Sequence, residues 1–247
     1  MNILVCISKT PDTTSKIAFT EGSTKFDENG VQWIINPYDE WYALVRAIEL
    51  KEKDPSVNIH LVTVGGADTE PIIRKALALG GDEAIRVNNT SNDSLVVAQE
   101  IAAIAKAGAY DLILTGKETI DYNSASIGSM LCALLDTNFV SSAVKLELAG
   151  THATLTREIE GGEETCETSL PVIVSCQKGM AEQRIPNMRG IMAARTKPLK
   201  VVEATITAAS TQIKNFDTPP AKSGVKLVDP ANMDELVRLL KEEAKVI

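Results

Sequence analysis

The stretch Gly116-Lys117-Glu118-Thr119-Ile120-Asp121-Tyr122-Asn123-Ser124-Ala125-Ser126-Ile127-Gly128 contains the residue types that can hold a phosphate. A short apolar run ends at Gly116, a polar loop follows, and a helix is expected to start near Asn123 or Ser124. Small residues at such a start leave backbone N–H groups open to an anion, and the helix dipole favours negative charge there. Two other segments, Ser8-Lys9-Thr10-Pro11-Asp12 and Gly65-Gly66-Ala67-Asp68, also follow strand-like runs, and paired glycines admit close approach of a ligand to the backbone. Gly-rich loops with Asn or Ser caps also build ordinary α/β connections, so on these residues alone both readings stay open.

Groups for catalysis are missing. The sequence has no G-x-G-x-x-G, no Walker lysine loop and no G-x-S-x-G elbow. Its two histidines, His60 and His152, are too few for a His-rich metal site. Cys6, Cys132, Cys166 and Cys176 show no metal or CxxC spacing, and Cys6 and Cys176 sit in apolar runs as core thiols would. Most acidic residues fall on helix faces, where solvation is the ordinary explanation. The residue inventory is that of a binding protein.

The elements that must position these loops alternate. Ile3–Ile7, Ile59–Val64, Ala84–Val87 and Leu112–Leu114 read as buried parallel strands. Between them, helices are expected over Asp39–Lys53, Asp68–Leu79 with a Gly80-Gly81 stop, Leu95–Lys106 and Ala125–Leu135. Such alternation predicts a parallel sheet covered on both faces, whose ligands bind at the carboxyl ends of the strands. After Thr137 the pattern changes. Val144–Leu148, Thr154–Glu160 and Thr165–Ser169 read as an antiparallel meander, and Val172–Cys176 as a returning buried strand. A basic helix is expected over Asn187–Thr196, an extended arm over Thr205–Ser223 and a last amphipathic helix over Asn232–Lys245. An arm and a lone helix cannot bury a core of their own, so they are expected to lie on another surface.

With 247 residues, 44% hydrophobic and 23% charged, the chain has room for one large α/β domain and an appendage. A net charge of −8 argues against nucleic acid. No apolar stretch approaches the roughly 18–20 residues that span a bilayer, so membrane insertion is not expected. Met1 runs directly into the first strand, which suggests no leader and a cytoplasmic location.

Six segments, in order, resemble the β subunit of electron-transfer flavoproteins: Ile3–Lys9, Ile35-Asn36-Pro37-Tyr38-Asp39-Glu40, Arg74–Asp82, Gly116–Asp121, Arg157–Glu164 and Leu170–Val174. The resemblance covers nearly the whole chain. It implies a Rossmann-like fold (adenine nucleotide alpha hydrolase-like), a mostly parallel sheet with an antiparallel extension. It also implies a nucleotide-binding domain over 1–190 and a C-terminal arm over 191–247 that embraces the α subunit. In this family AMP is a structural ligand, which carries contacts onto Cys6, Asn36, Pro37, Tyr38, Asp39, Val64 and residues 116–127. The redox-active FAD belongs to the α subunit. The resemblance further implies that acyl-CoA or related dehydrogenases supply electrons and a membrane quinone oxidoreductase accepts them. It assigns Glu158, Arg184 and Met188 to partner docking, Glu158 by pairing with the flavin-bearing domain and Met188 by entering an apolar pocket.

An electron-bifurcating branch of the family holds a second FAD where others hold AMP, and continues the loop as D-G-D-T-A-Q-V-G. Here Tyr122 replaces that glycine, which favours AMP. The alternatives are a bifurcating subunit that carries its own FAD, and a nucleotide-binding protein of the universal-stress type. The arm argues against the latter.

Overall fold

The computed structural model describes residues 1–206, 208–222 and 224–247. The chain opens with β1 (Asn2–Cys6), β2 (Lys9–Pro11), β3 (Phe19–Thr20), β4 (Lys25–Phe26) and β5 (Trp33–Ile35), followed by α1 (Asp39–Lys53). Next come β6 (Asn58–Val64), a 3-10 turn (Ala67–Thr69), α2 (Glu70–Leu79), β7 (Glu83–Asn88), α3 (Ser94–Gly108), β8 (Leu112–Gly116) and α4 (Ile127–Leu135). The second half contains β9 (Asn138–Ala149), β10 (His152–Ile159), β11 (Gly162–Ser169), β12 (Val172–Cys176), α5 (Met188–Ala194) and β13 (Leu199–Glu203). It ends with α6 (Met233–Arg238), prolonged by a π-helical stretch over Leu239–Ala244.

Nine strands share one sheet in the order β11-β10-β9-β12-β8-β1-β6-β7-β13. From β9 to β13 every neighbouring pair is parallel, whereas β9, β10 and β11 form an antiparallel extension. The central strands are apolar throughout because both faces are covered. Along β1, Ile3 and Val5 pack with Leu44, Ile48 and Leu77 of α1 and α2, while Leu4 and Cys6 pack with Ala98, Ile101 and Leu131 of α3 and α4. β8 and β12 repeat this alternation, with Leu112, Leu114, Val172 and Val174 on one face and Ile113 and Ile173 on the other. The result is a Rossmann-like α/β fold. No helix among the described residues is long and apolar enough to cross a membrane.

Several boundaries differ from those expected. α4 starts at Ile127, because Asn123 and Ala125 adopt positive φ (50° and 49°) and interrupt helical geometry there. β9 is longer than the expected Val144–Leu148. Its first half pairs with β12 and its second with β10, and Ser142, at a φ of 54°, lies where the register shifts. The basic helix shortens to Met188–Ala194, and the last helix to Met233–Arg238 with its π continuation. Thr207 and Ser223, both within the arm expected over Thr205–Ser223, lie outside the described residues; the rest of that segment is neither helix nor strand. β13, beyond residue 190, pairs with β7 at the sheet edge.

α5 docks tightly on α2. Arg74 donates to the carbonyls of Ala194 (2.8 Å) and Lys197 (2.7 Å), and Lys197 Nζ donates to Leu77 O (2.9 Å) and Gly81 O (2.6 Å). Gly190 makes this approach possible: a Cβ built there would stand 2.3 Å from Ala78 O. Gly190→Ala is therefore expected to push α5 off α2 and destabilise the fold by about 1–3 kcal/mol, read as a lower denaturation midpoint at unchanged m-value.

Candidate functional site: a crevice at the switch point of the sheet

From β1 the chain builds outward through β6 and β7, then returns to place β8 on the other side of β1. Such a reversal is where open α/β sheets form the crevice that holds ligands, and here it falls at the carboxyl ends of β1 and β8. Cys6, Ser8 and Gly116 stand at those strand ends, and Val64 ends the neighbouring β6. The turn Asn36–Tyr38 and the first residues of α1 lie against them.

Asn36 is fully buried. Its Nδ2 donates to Glu118 O (2.8 Å), its Oδ1 accepts from Ile120 N (3.0 Å), and its own N donates to Ser8 O (3.2 Å). Asp39 Oδ2 accepts from Glu118 N (3.2 Å), and Lys117 N donates to Cys176 O (2.9 Å). These bonds fix Lys117–Ile120 between α1 and β12. Gly116 permits the contact, since a Cβ there would come within 2.8 Å of Glu40 Cγ and 3.2 Å of Glu40 N. After Pro37, Tyr38 takes a φ of 64° and leaves its ring half exposed, a conformation an L-residue holds only when its surroundings impose it.

Glu40 lies buried behind this turn and accepts from Ser8 N and Ser8 Oγ, both at 2.6 Å. Burial lifts its pKa to about 8 against the pull of the Ser8 bonds, and Asp121 and Asp39 add to the rise. Burial, with a smaller contribution from Glu40, pushes the Cys6 thiol well above its ordinary value and disfavours its thiolate. Among the described residues, Thr115 Oγ1, one residue before Gly116, is buried without a partner, as is Thr10 Oγ1.

Beyond Ile120 the loop is open. Asp121 to Ala125 are exposed; Tyr122 N donates to Asp121 Oδ1 (2.9 Å), and Asn92 Nδ2 donates to the Tyr122 hydroxyl (3.1 Å). Asn123 N closes back on Thr119 O (3.0 Å). Among the described residues, the N–H groups of Ser124, Ala125, Ser126 and Ile127 donate to no protein acceptor, and Ser126 caps α4 without a side-chain bond. Unpartnered donors at a helix N-terminus can take an anion. The buried orphan hydroxyl of Thr115 also suits a polar ligand.

The other two loops read from the sequence meet each other. Lys9 Nζ pairs with Asp68 and lies 3.7 Å over the Trp33 ring. Arg86, which the sequence reading passed over, is buried and donates to Gly65 O (3.0 Å), Glu70 Oε1 (3.2 Å) and Asn88 Oδ1 (3.1 Å), bracing the Gly65-Gly66 turn. A lone arginine in the apolar run Ala84–Val87 was its available signal.

The residues assigned to docking lie outside the crevice. Glu158, on β10, accepts from Gln177 Nε2 (2.6 Å) and borders a cavity of about 530 Å³ with Val144, Lys145, Thr156 and Lys178. Arg184 forks onto Glu52 at 2.7 and 3.0 Å. Met188 begins α5 and is 73% exposed, near Ile185 (87%) and Met192 (66%).

Fold and site together define a Rossmann-like α/β protein, with polar loops gathered at the switch point and a C-terminal segment leaving the far edge of the sheet. A sequence profile described as "Electron transfer flavoprotein domain" matches residues 23–207. Over its whole length the chain is 40% identical to the electron transfer flavoprotein subunit beta of Bacillus subtilis (strain 168), covering all of that protein. It is 36% identical to the corresponding subunit of Syntrophomonas wolfei, with 100% of this chain and 98% of the relative aligned. It is also 30% identical to the caffeyl-CoA reductase-Etf complex subunit CarD of Acetobacterium woodii, with 98% and 99% covered. The chain belongs to the electron transfer flavoprotein family, as a β-type, electron-transfer subunit.

Glu40 gives the site a pH signature. A carboxyl whose folded pKa is raised favours the fold while protonated, so its contribution is complete below the unfolded value of 4.5 and is lost as pH rises towards and through about 8. Glu40→Gln abolishes that titration. The Tm difference between variant and wild type is expected to move in the variant's favour from pH 5 to pH 9, and a flat difference would contradict the assignment.

Proposed function

We propose that this chain is the β subunit of a heterodimeric electron-transfer flavoprotein working in the cytoplasm, and that its crevice holds AMP as a structural ligand. The observation that carries the reading is the run of unpartnered N–H groups from Ser124 to Ile127, at the start of α4 and beside the clamped Gly116–Ile120 segment. These donors, with the helix dipole, would hold one phosphate. Cys6, Asn36, Pro37, Tyr38, Asp39 and Val64, with Lys117 to Asn123, would form the remaining wall. AMP fills and braces the crevice and takes no part in redox chemistry.

FAD, carried by the α subunit, supplies the electron chemistry. This chain's part is to hold that subunit through its C-terminal arm, and to present a docking surface. Electrons would enter from acyl-CoA or related dehydrogenases and leave to a membrane quinone oxidoreductase. Met188, Ile185 and Met192 offer exposed, flexible apolar side chains to such partners. Tyr122, in place of glycine, narrows the backbone approach that a second FAD would use.

Denaturing the purified chain and chromatographing the supernatant should release AMP in proportion to protein. Ser124→Glu puts a carboxylate beside the phosphate, and the expected loss of retention is roughly tenfold, about 1.4 kcal/mol. Stoichiometric FAD released from this chain alone would instead place it with bifurcating subunits.

Met188→Ala is expected to slow reduction of the complex by its dehydrogenase. AMP content and heterodimer formation should hold, and stability should change by no more than about 0.5 kcal/mol, as for an exposed site. Unchanged reduction rates with every donor tested would remove Met188 from the docking surface.

A further inference from the structure

Two buried carboxylates on the α3 side of the molecule are occupied by the C-terminal segment. Asp93 Oδ1 caps α3, accepting from Leu95 N (2.7 Å) and Val96 N (3.3 Å), while its Oδ2 accepts from Ser210 N (2.7 Å), Thr211 N (2.6 Å) and Thr211 Oγ1 (2.9 Å). Glu100, two turns along α3, accepts from Thr205 N (2.8 Å), Ile206 N (2.8 Å), Thr205 Oγ1 (2.9 Å) and Asn89 Nδ2 (3.3 Å). Asn89 Nδ2 also donates to Ile206 O (2.9 Å). Further on, Phe216 N donates to Ser23 O (2.7 Å), and the Phe216 ring stacks on Phe19 at 4.9 Å and 5°. The bonding then stops: beyond a local bond from Asn215 Nδ2 to Asp217 Oδ2 (2.7 Å), no hydrogen bond or ion pair among the described residues joins 217–247 to the rest of the chain. Lys226–Glu243 and the Arg238 pairs with Glu235 and Glu242 are internal to that segment. Val225, Leu227, Val237 and Ile247 within it are exposed.

We infer that the arm has two parts: a strap from Thr205 to Phe216, fixed on this chain's own domain with Asp93 and Glu100 as its positioning residues, and a free portion beginning at Asp217 that alone reaches the partner subunit. The second part rests on the proposed heterodimer; the first does not. Burying a carboxylate is unfavourable unless donors surround it, and here backbone N–H groups of the strap supply the donors. Burial works against ionisation of Asp93, yet the bonds from Thr211, Leu95 and Val96 hold its pKa down to about 2. Glu100 is likewise shifted down by Ile206 and Thr205 against its burial. Strap and carboxylates thus depend on each other. The strap fixes the point from which the free portion departs, which limits the surfaces of a partner it can reach.

Hydrogen exchange read by mass spectrometry tests this on the full chain, alone and in complex with its flavin-carrying partner. Peptides covering 208–216 should be protected equally in both states, and those beyond Asp217 only in the complex. Asp93→Asn keeps an oxygen to cap α3 but turns an N–H₂ group towards Ser210 and Thr211. It should speed exchange of 208–216 at least tenfold while α3 stays protected. If α3 loses protection too, Phe216→Ala, on the strap itself, decides by the same reading. Protection of 208–216 only in the complex, or unchanged exchange in the variants, would overturn the strap. A protected strap with no protection gained beyond Asp217 would sustain it and remove the embrace of the partner.

Discussion

The side-chain amide of Asn36, sealed from water, joins the two halves of the crevice. Its two hydrogen bonds reach the backbone of Glu118 and Ile120, and the backbone N–H of Asn36 reaches Ser8. Without it, a partly buried donor and acceptor on the loop after β8 would lose their partners, at up to about 1–3 kcal/mol each. That attachment holds the segment after Gly116 against α1, where Gly116 approaches Glu40 closely. The sheet supplies the crevice through its strand order; Asn36 gives the crevice a fixed wall.

Buried carboxylates in this protein divide by their donors. Glu40 has two, both from Ser8, and faces Asp39 and Asp121, so its burial prevails and its pKa rises. Asp93 has five, from Leu95, Val96, Ser210 and Thr211, and its pKa falls. A buried carboxyl thus packs with its pKa raised behind the Asn36–Tyr38 turn in one place, and fastens the strap with its pKa lowered in the other.

Much of the fold was legible because burial on both faces leaves a plain mark. The apolar runs of β1, β6, β8 and β12 and the spacing of α1 were readable, and α1 lies where its pattern put it. β2 to β5 were not, since strands of two or three residues are made by pairing with distant chain rather than by local pattern. β13, five residues with intermediate or exposed side chains, lacks the apolar run of a central strand because it sits at an edge. At the site, the glycine and asparagine of the loops were visible as types. What escaped was burial: acidic residues on helices read as solvated, yet Glu40 and Glu100 are buried and Asp93 is closed over by a segment more than a hundred residues away. Sequence spacing on one helix cannot show what a remote strap covers.

Under the function proposed above, this chain contributes a braced, non-redox nucleotide crevice to a flavoprotein whose electron chemistry lies in its partner. Counting flavins in the purified heterodimer tests it most directly, with absorbance set against protein determined by amino-acid analysis. One flavin per heterodimer is the expected result, with the flavin remaining on the partner when the subunits are separated. Two flavins, one of them retained by this chain, would contradict the account.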